Sequence, residues 1–181
     1  MTINNLPNII SVFRLCLVLP ITWVLLEKNY NVALILFFIA GFSDALDGFL
    51  AKKFDWSSKL GTMLDPMADK ILLNVCYLTL SYLTLIPWWL TAVIFLRDLI
   101  LTVIGLHYYF HDVNFKIQPT MLSKLNTFLQ ILLVFGIILI ESLAIEFSMS
   151  WLVILVLIST LTTSAHYFIL WKFAVDDTVT P

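Results

Sequence analysis

Apolar runs close to twenty residues long recur along this chain, and they constrain its fold more than any other feature. A helix rises 1.5 Å per residue, so about 20 apolar residues cross the ~30 Å hydrocarbon core of a bilayer. Six such runs lie at about 6–26, 31–51, 63–85, 87–110, 121–141 and 149–173. They use most of the 181 residues and leave no room for a soluble domain. Only 12% of residues are charged and 61% are hydrophobic, whereas an ordinary soluble domain carries about 25% charge. The reading is all-α and integral to a membrane: six transmembrane helices in one bundle, with residues 1–181 as a single membrane domain. The net charge of -2 rests on too few charges to say much about partners, and no nucleic-acid partner is expected.

One stretch breaks the apolar pattern. From Asp44 to Asp69 the chain reads DALDGFLAKKFDWSSKLGTMLDPMAD. Carboxylates near a bilayer core cost roughly 2.5–3.5 kcal/mol each, so they mark function by default. Asp44, Asp47 and Ala51 lie at i, i+3 and i+7, one face of a helix. Asp65 and Asp69 lie at i and i+4, one face of the next. Two helices joined by a short turn thus aim four carboxylates at one point. Four ionised carboxylates need cations there. A hard divalent metal with oxygen ligands, Mg2+ or Mn2+, is the simplest candidate.

The pattern Asp44-x2-Asp47-Gly48-x2-Ala51-Lys52-x8-Gly61-x3-Asp65-x3-Asp69 resembles the signature of the CDP-alcohol phosphatidyltransferases. These membrane enzymes move a phosphatidyl group from CDP-diacylglycerol to an alcohol. Lys52 stands where the family usually has arginine, which keeps the charge but loses the fork geometry. The resemblance implies that Asp44, Asp47, Asp65 and Asp69 hold metal, two ions of Mg2+ or Mn2+, and that Asp69 is the catalytic base. It implies that Gly48, Ala51, Lys52 and Gly61 surround the nucleotide and its phosphates. It also implies a homodimer.

Asn8, Ser11 and Arg14 form a polar stripe at i, i+3 and i+6 on the first apolar run. Either they line the nucleotide cleft, or they are interfacial groups with Arg14 snorkelling to the surface. P-N-x-x-S-x-x-R resembles the start of the family's glycerol-type members and favours the cleft. No basic stretch precedes this run and no A-x-A site follows it, so it reads as a retained helix.

Arg97 and Asp98 lie mid-run in the fourth segment. Successive helical residues do not face each other, so each is expected to find its own partner. Arg97 then holds a substrate phosphate or joins an interhelix ion pair. Ser123, Lys124, Asn126 and Thr127 cluster where the fifth helix begins, a composition suited to an anion at a helix N-terminus. Arg97 and Lys124 are the candidate acceptor-binding residues. Arg97-Asp98 together with P-T-x-x-S-K-x-N-T resembles the eukaryotic-type cardiolipin synthase branch of the family; phosphatidylglycerophosphate synthases, close relatives, tend to show R-E and G-K-x-K-T there. The acceptor implied is glycerol-type: phosphatidylglycerol, giving cardiolipin, or glycerol 3-phosphate.

Short loops rich in Lys and Arg stay cytoplasmic. Lys52, Lys53 and Lys59 follow the second run, Lys116 and Lys124 flank the loop after the fourth, and Lys172 closes the sixth. Both termini and the aspartate cluster are expected on the cytoplasmic side, in a bacterial inner (cell) membrane. His107 and His111 read as an interfacial belt, and His166 as a hydrogen bonder between packed helices. Cys16 and Cys76 read as packing residues with no disulfide. The tail from Val175 reads as frayed. Two other functions use membrane carboxylates. One is an intramembrane prenyltransferase; those enzymes resemble N-D-x-x-D-x-x-x-D on two separated helices of a larger bundle, whereas this chain has one short motif. The other is a cation or proton transporter, which needs polar residues across the whole bilayer.

Overall fold

The computed structural model describes residues 6–54, 61–110 and 120–179, with side chains described inside 10–44, 67–103 and 120–169. Six helices are present and no strand occurs among the described residues: α1 (Leu6–Leu26), α2 (Tyr30–Phe54), α3 (Gly61–Tyr82), α4 (Trp88–Phe110), α5 (Met121–Leu143) and α6 (Ser150–Val179). Five match the apolar runs to within a few residues. The sixth departs: α6 continues through Asp176 and Asp177 to Val179, where fraying is expected from the sequence. Once a helix is nucleated, each further residue adds one hydrogen bond at little cost.

α3 stops at Tyr82, earlier than its apolar run, for a local reason. Thr84 adopts a left-handed φ of 62°. Its N–H donates to Ser81 O at 3.0 Å, and Leu85 N–H donates to Leu80 O at 2.9 Å. This paired closure is the Schellman motif, which satisfies the carbonyls a helix end leaves orphaned. α1 closes the same way through Lys28 (φ 57°) and α5 through Ala144 (φ 51°). Glycine usually fills this position because a Cβ disfavours positive φ; none is used here. Asn29 then caps α2, its Oδ1 accepting from Val32 N–H at 3.4 Å.

The chain forms two compact units. The first comprises residues 1–86 and 134–147, the second residues 87–133 and 148–181. In the first, α1 packs against both α2 and α3. Its buried seam is Ser11, Arg14, Val18, Ile21 and Leu25, alternating steps of three and four. Ala33, Phe37 and Ala40 form the buried seam of α2, and Leu73, Cys76 and Leu80 that of α3. The two alanines let α2 approach closely, as small residues do between packed helices. In the second unit α4 packs against α6. Asn126 on α5 accepts two hydrogen bonds from α6, from Ser159 Oγ at 2.7 Å and Thr160 Oγ1 at 2.9 Å.

Large apolar side chains lie on the surface, while several polar groups join a mostly apolar core. Leu19, Trp23, Phe38, Phe42 and Met121 are exposed, while Arg14, Arg97, Asp98, Asn126 and Thr160 are buried. Two described helical stretches, Met121–Leu143 and Ser150–Ile169, are long and apolar enough to cross a membrane. Ile10–Leu26 and Tyr30–Asp44 are apolar but shorter.

Candidate active site at the aspartate-bearing helix ends

α2 and α3 each carry two of the four aspartates, Asp44 and Asp47 on α2, Asp65 and Asp69 on α3. The structure brings the first and last of them together. Arg14 of α1 supplies the meeting point: its Nη1 donates to Asp44 Oδ1 at 2.8 Å and also to Asp69 Oδ1. Arg14 is 1% exposed, whereas the Asp44 and Asp69 side chains are 47% and 38% exposed. The guanidinium therefore lies beneath two carboxylates that remain open on their outer side. The polar end of the α1 seam, the C-terminal part of α2 and the N-terminal part of α3 meet here. Ser11, fully buried, lies one turn before Arg14 on the same face.

Two aspartate oxygens that share one cationic nitrogen are close enough to share one metal ion. All the donors on hand are hard oxygens, the chemistry that Mg2+ and Mn2+ prefer. Among the described residues no group of three metal-ligating side chains forms. Asp47 and Asp65 lie on their helices as expected, Asp47 one turn past Asp44 and Asp65 one turn before Asp69, but their side chains are outside the described residues. The same holds for Asn8 on α1, for Gly48, Ala51 and Lys52 on the last turns of α2, and for Gly61 at the start of α3.

Of the two sequence readings of the stripe on α1, the snorkelling alternative does not hold for Arg14. Its side chain turns inward to the carboxylates. The signal was present in the sequence, since residues 11, 14, 18, 21 and 25 continue one seam from polar into apolar. A side chain on that seam is buried whatever its polarity.

The second unit holds the other expected residues. Arg97 is 6% exposed; its Nη1 donates to Asp98 Oδ1 at 2.7 Å and its Nη2 to Ser123 Oγ at 2.9 Å. The expectation that Arg97 and Asp98 take different partners fails. The arginine side chain is long enough to fold back on its neighbour, which the Cβ geometry of successive residues does not forbid. Arg97, Ile100 and Leu101 of α4 and Ser164, Tyr167 and Phe168 of α6 line a pocket of about 310 Å3. Lys124 is exposed on α5, next in the chain to Ser123, the hydroxyl that Arg97 reaches.

The remaining polar residues play smaller parts. His166 is half-buried and packs edge-on to Tyr167, with ring centroids 6.1 Å apart. Its Nδ1 has no partner among the described residues, so the expected helix-packing hydrogen bond does not form there. The side chain of His107 and all of His111 lie outside the described residues. Cys76 is buried as expected, but Cys16 is exposed; both are free.

The family model described as CDP-alcohol phosphatidyltransferase matches residues 4–174. The chain is 38% identical to the cardiolipin synthase (CMP-forming) of Rattus norvegicus over 146 residues, covering 72% of this chain and 48% of that protein. It is equally similar, 38% over 148 residues, to the Homo sapiens protein of the same name, with the same coverage. A CDP-diacylglycerol–glycerol-3-phosphate 3-phosphatidyltransferase of Bacillus subtilis is 31% identical over 150 residues, 75% of this chain and 77% of that protein. The chain spans about half the length of the two cardiolipin synthases.

Proposed function

Because the chain belongs to the CDP-alcohol phosphatidyltransferase family, we propose that it moves a phosphatidyl group from CDP-diacylglycerol to a glycerol-type acceptor and releases CMP. The acceptor is phosphatidylglycerol, giving cardiolipin, or glycerol 3-phosphate, giving phosphatidylglycerophosphate. The names of the similar proteins support both. The observation that carries the reading is the convergence of Asp44 and Asp69, the two ends of the motif, on one point.

The family is generally dependent on divalent metal. Asp44, Asp47, Asp65 and Asp69 would hold two ions, Mg2+ or Mn2+. When bound, such ions neutralise the substrate pyrophosphate and the charge on the leaving CMP. Asp69 accepts the proton of the acceptor hydroxyl as its oxygen attacks the lipid-bearing phosphorus, and the bond from that phosphorus to the CMP phosphate oxygen breaks. Position matters before basicity for such a group. Asn8 and Ser11 line the nucleotide cleft, Gly48, Ala51 and Gly61 permit close approach, and Lys52 meets phosphate as a point charge. Arg97 and Lys124 recognise the acceptor phosphate. The apolar walls of the pocket at Arg97 suit an acceptor that carries acyl chains.

The chain works as one membrane domain, 1–181, embedded by its six helices. The exposed apolar side chains and buried polar ones support this, because lipid rewards that distribution and water does not. The basic loops favour the cytoplasmic side for both termini and the aspartate cluster; the membrane we propose is a bacterial inner membrane, and family resemblance favours a homodimer. The test is mass spectrometry of the lipid made by purified protein from CDP-diacylglycerol with each acceptor in turn, alongside CMP release. Cardiolipin or phosphatidylglycerophosphate with stoichiometric CMP is expected; no CMP with either acceptor overturns the reading.

A further inference from the structure

Arg14 stands where a cation between the two motif carboxylates belongs. One nitrogen, Nη1, contacts the Oδ1 atoms of both Asp44 and Asp69. A guanidinium stays charged at any physiological pH, so it offsets the repulsion between two carboxylates held together beside apolar helix faces. Without such a cation, like charges this close oppose folding of the three helices onto one another. A divalent ion that takes these same two oxygens cannot share the position with Nη1. The contacts come from the tip of a long side chain, so losing them need not move the α1 backbone.

We propose that Arg14 is a built-in counter-cation of the metal site: it holds Asp44 and Asp69 together before metal binds, and gives up its position to the incoming ion. This rests on the reading of the aspartates as metal ligands. It assigns to Arg14 a role in setting metal affinity that is separate from catalysis. Arginine out and metal in become one exchange, so the apparent affinity for metal is weaker than the carboxylates alone would give.

The experiment compares wild-type protein with Arg14→Gln and Arg14→Lys in lipid nanodiscs. Mn2+ binding is titrated by electron paramagnetic resonance, and thermal unfolding is followed in EDTA and in Mn2+. Removing a competing charge-assisted hydrogen bond should tighten Mn2+ binding by tenfold or more in Arg14→Gln. The same variant should unfold at lower temperature in EDTA and recover most of that loss in Mn2+. Arg14→Lys, which keeps the charge, should lie nearer wild type on both measures. If Arg14→Gln binds Mn2+ as wild type does or more weakly, Arg14 is a fixed bracket and the exchange is overturned. If it does not refold well enough to titrate, Arg14→Lys decides: unchanged or weaker Mn2+ binding than wild type overturns the proposal, and modestly tighter binding supports it. Should neither wild type nor any variant bind Mn2+, the metal reading falls and takes this one with it.

Discussion

Two buried arginines, one in each unit, look alike in the sequence and differ in what surrounds them. Arg14 draws its carboxylates from two other helices, and those carboxylates are half-open. Arg97 draws its carboxylate from the next residue of its own helix, and Asp98 is buried with it. The first arrangement exists only when three helices meet, and it leaves oxygen atoms facing outward for a ligand. The second is an ion pair within one turn of α4, to which α5 adds the Ser123 hydroxyl. A charge compensated across helices can serve as a site that changes partners. A charge compensated locally can be carried into a buried pocket with its field already reduced, leaving it to orient a ligand more than to attract one from afar.

The largest expected difference between the two regions appears on metal removal. Excess EDTA should abolish CMP release, and Mg2+ or Mn2+ should restore it while Zn2+ does not, given hard oxygen donors. Full turnover by thoroughly metal-stripped protein would erase the functional distinction between the two regions. Next in size, Asp69→Asn should lower kcat by about 10²–10⁴-fold, the usual worth of a positioned general base, while much of the Mn2+ binding survives. Near-normal CMP release by that variant removes Asp69 from the role of base.

The local pair is tested through stability. Asp98→Asn leaves a buried guanidinium without its carboxylate and should destabilise by about 3–5 kcal/mol. Arg97→Met together with Asp98→Leu removes both charges and should unfold close to wild type. A double variant as unstable as Asp98→Asn would mean that Arg97 is compensated from elsewhere. The smallest effect is kinetic. Arg97→Ala and Lys124→Ala should each raise the acceptor KM about ten- to a hundredfold with kcat little changed, as loss of one charge-assisted hydrogen bond predicts. A rise confined to the KM for CDP-diacylglycerol would move these residues to the nucleotide-lipid side.

The apolar runs alone located the helices, because a buried or lipid-facing helix must be apolar along its length, and that requirement is written residue by residue. The same local logic located the aspartates: spacings of three and four put Asp44 with Asp47 and Asp65 with Asp69 before any packing was known. Helix ends were less legible where the closure depends on backbone conformation. Thr84 takes positive φ without glycine to announce it, so α3 ends before its apolar run does.

Partners lay beyond the sequence. Arg14, Asp44 and Asp69 are far apart in the chain, and only the packing of α1 on α2 and α3 makes them neighbours. The seam on α1 marks Arg14 as inward-facing, but not which carboxylates it meets. Arg97 shows the converse, since its partner is adjacent in sequence but is reached only because its side chain has the length and rotamer to fold back. Helical period is a property of the backbone and repeats every turn, so a single chain reveals it. The direction of a long charged side chain is chosen among rotamers of similar energy, and the choice goes to whichever carboxylate or hydroxyl the folded helices place within reach.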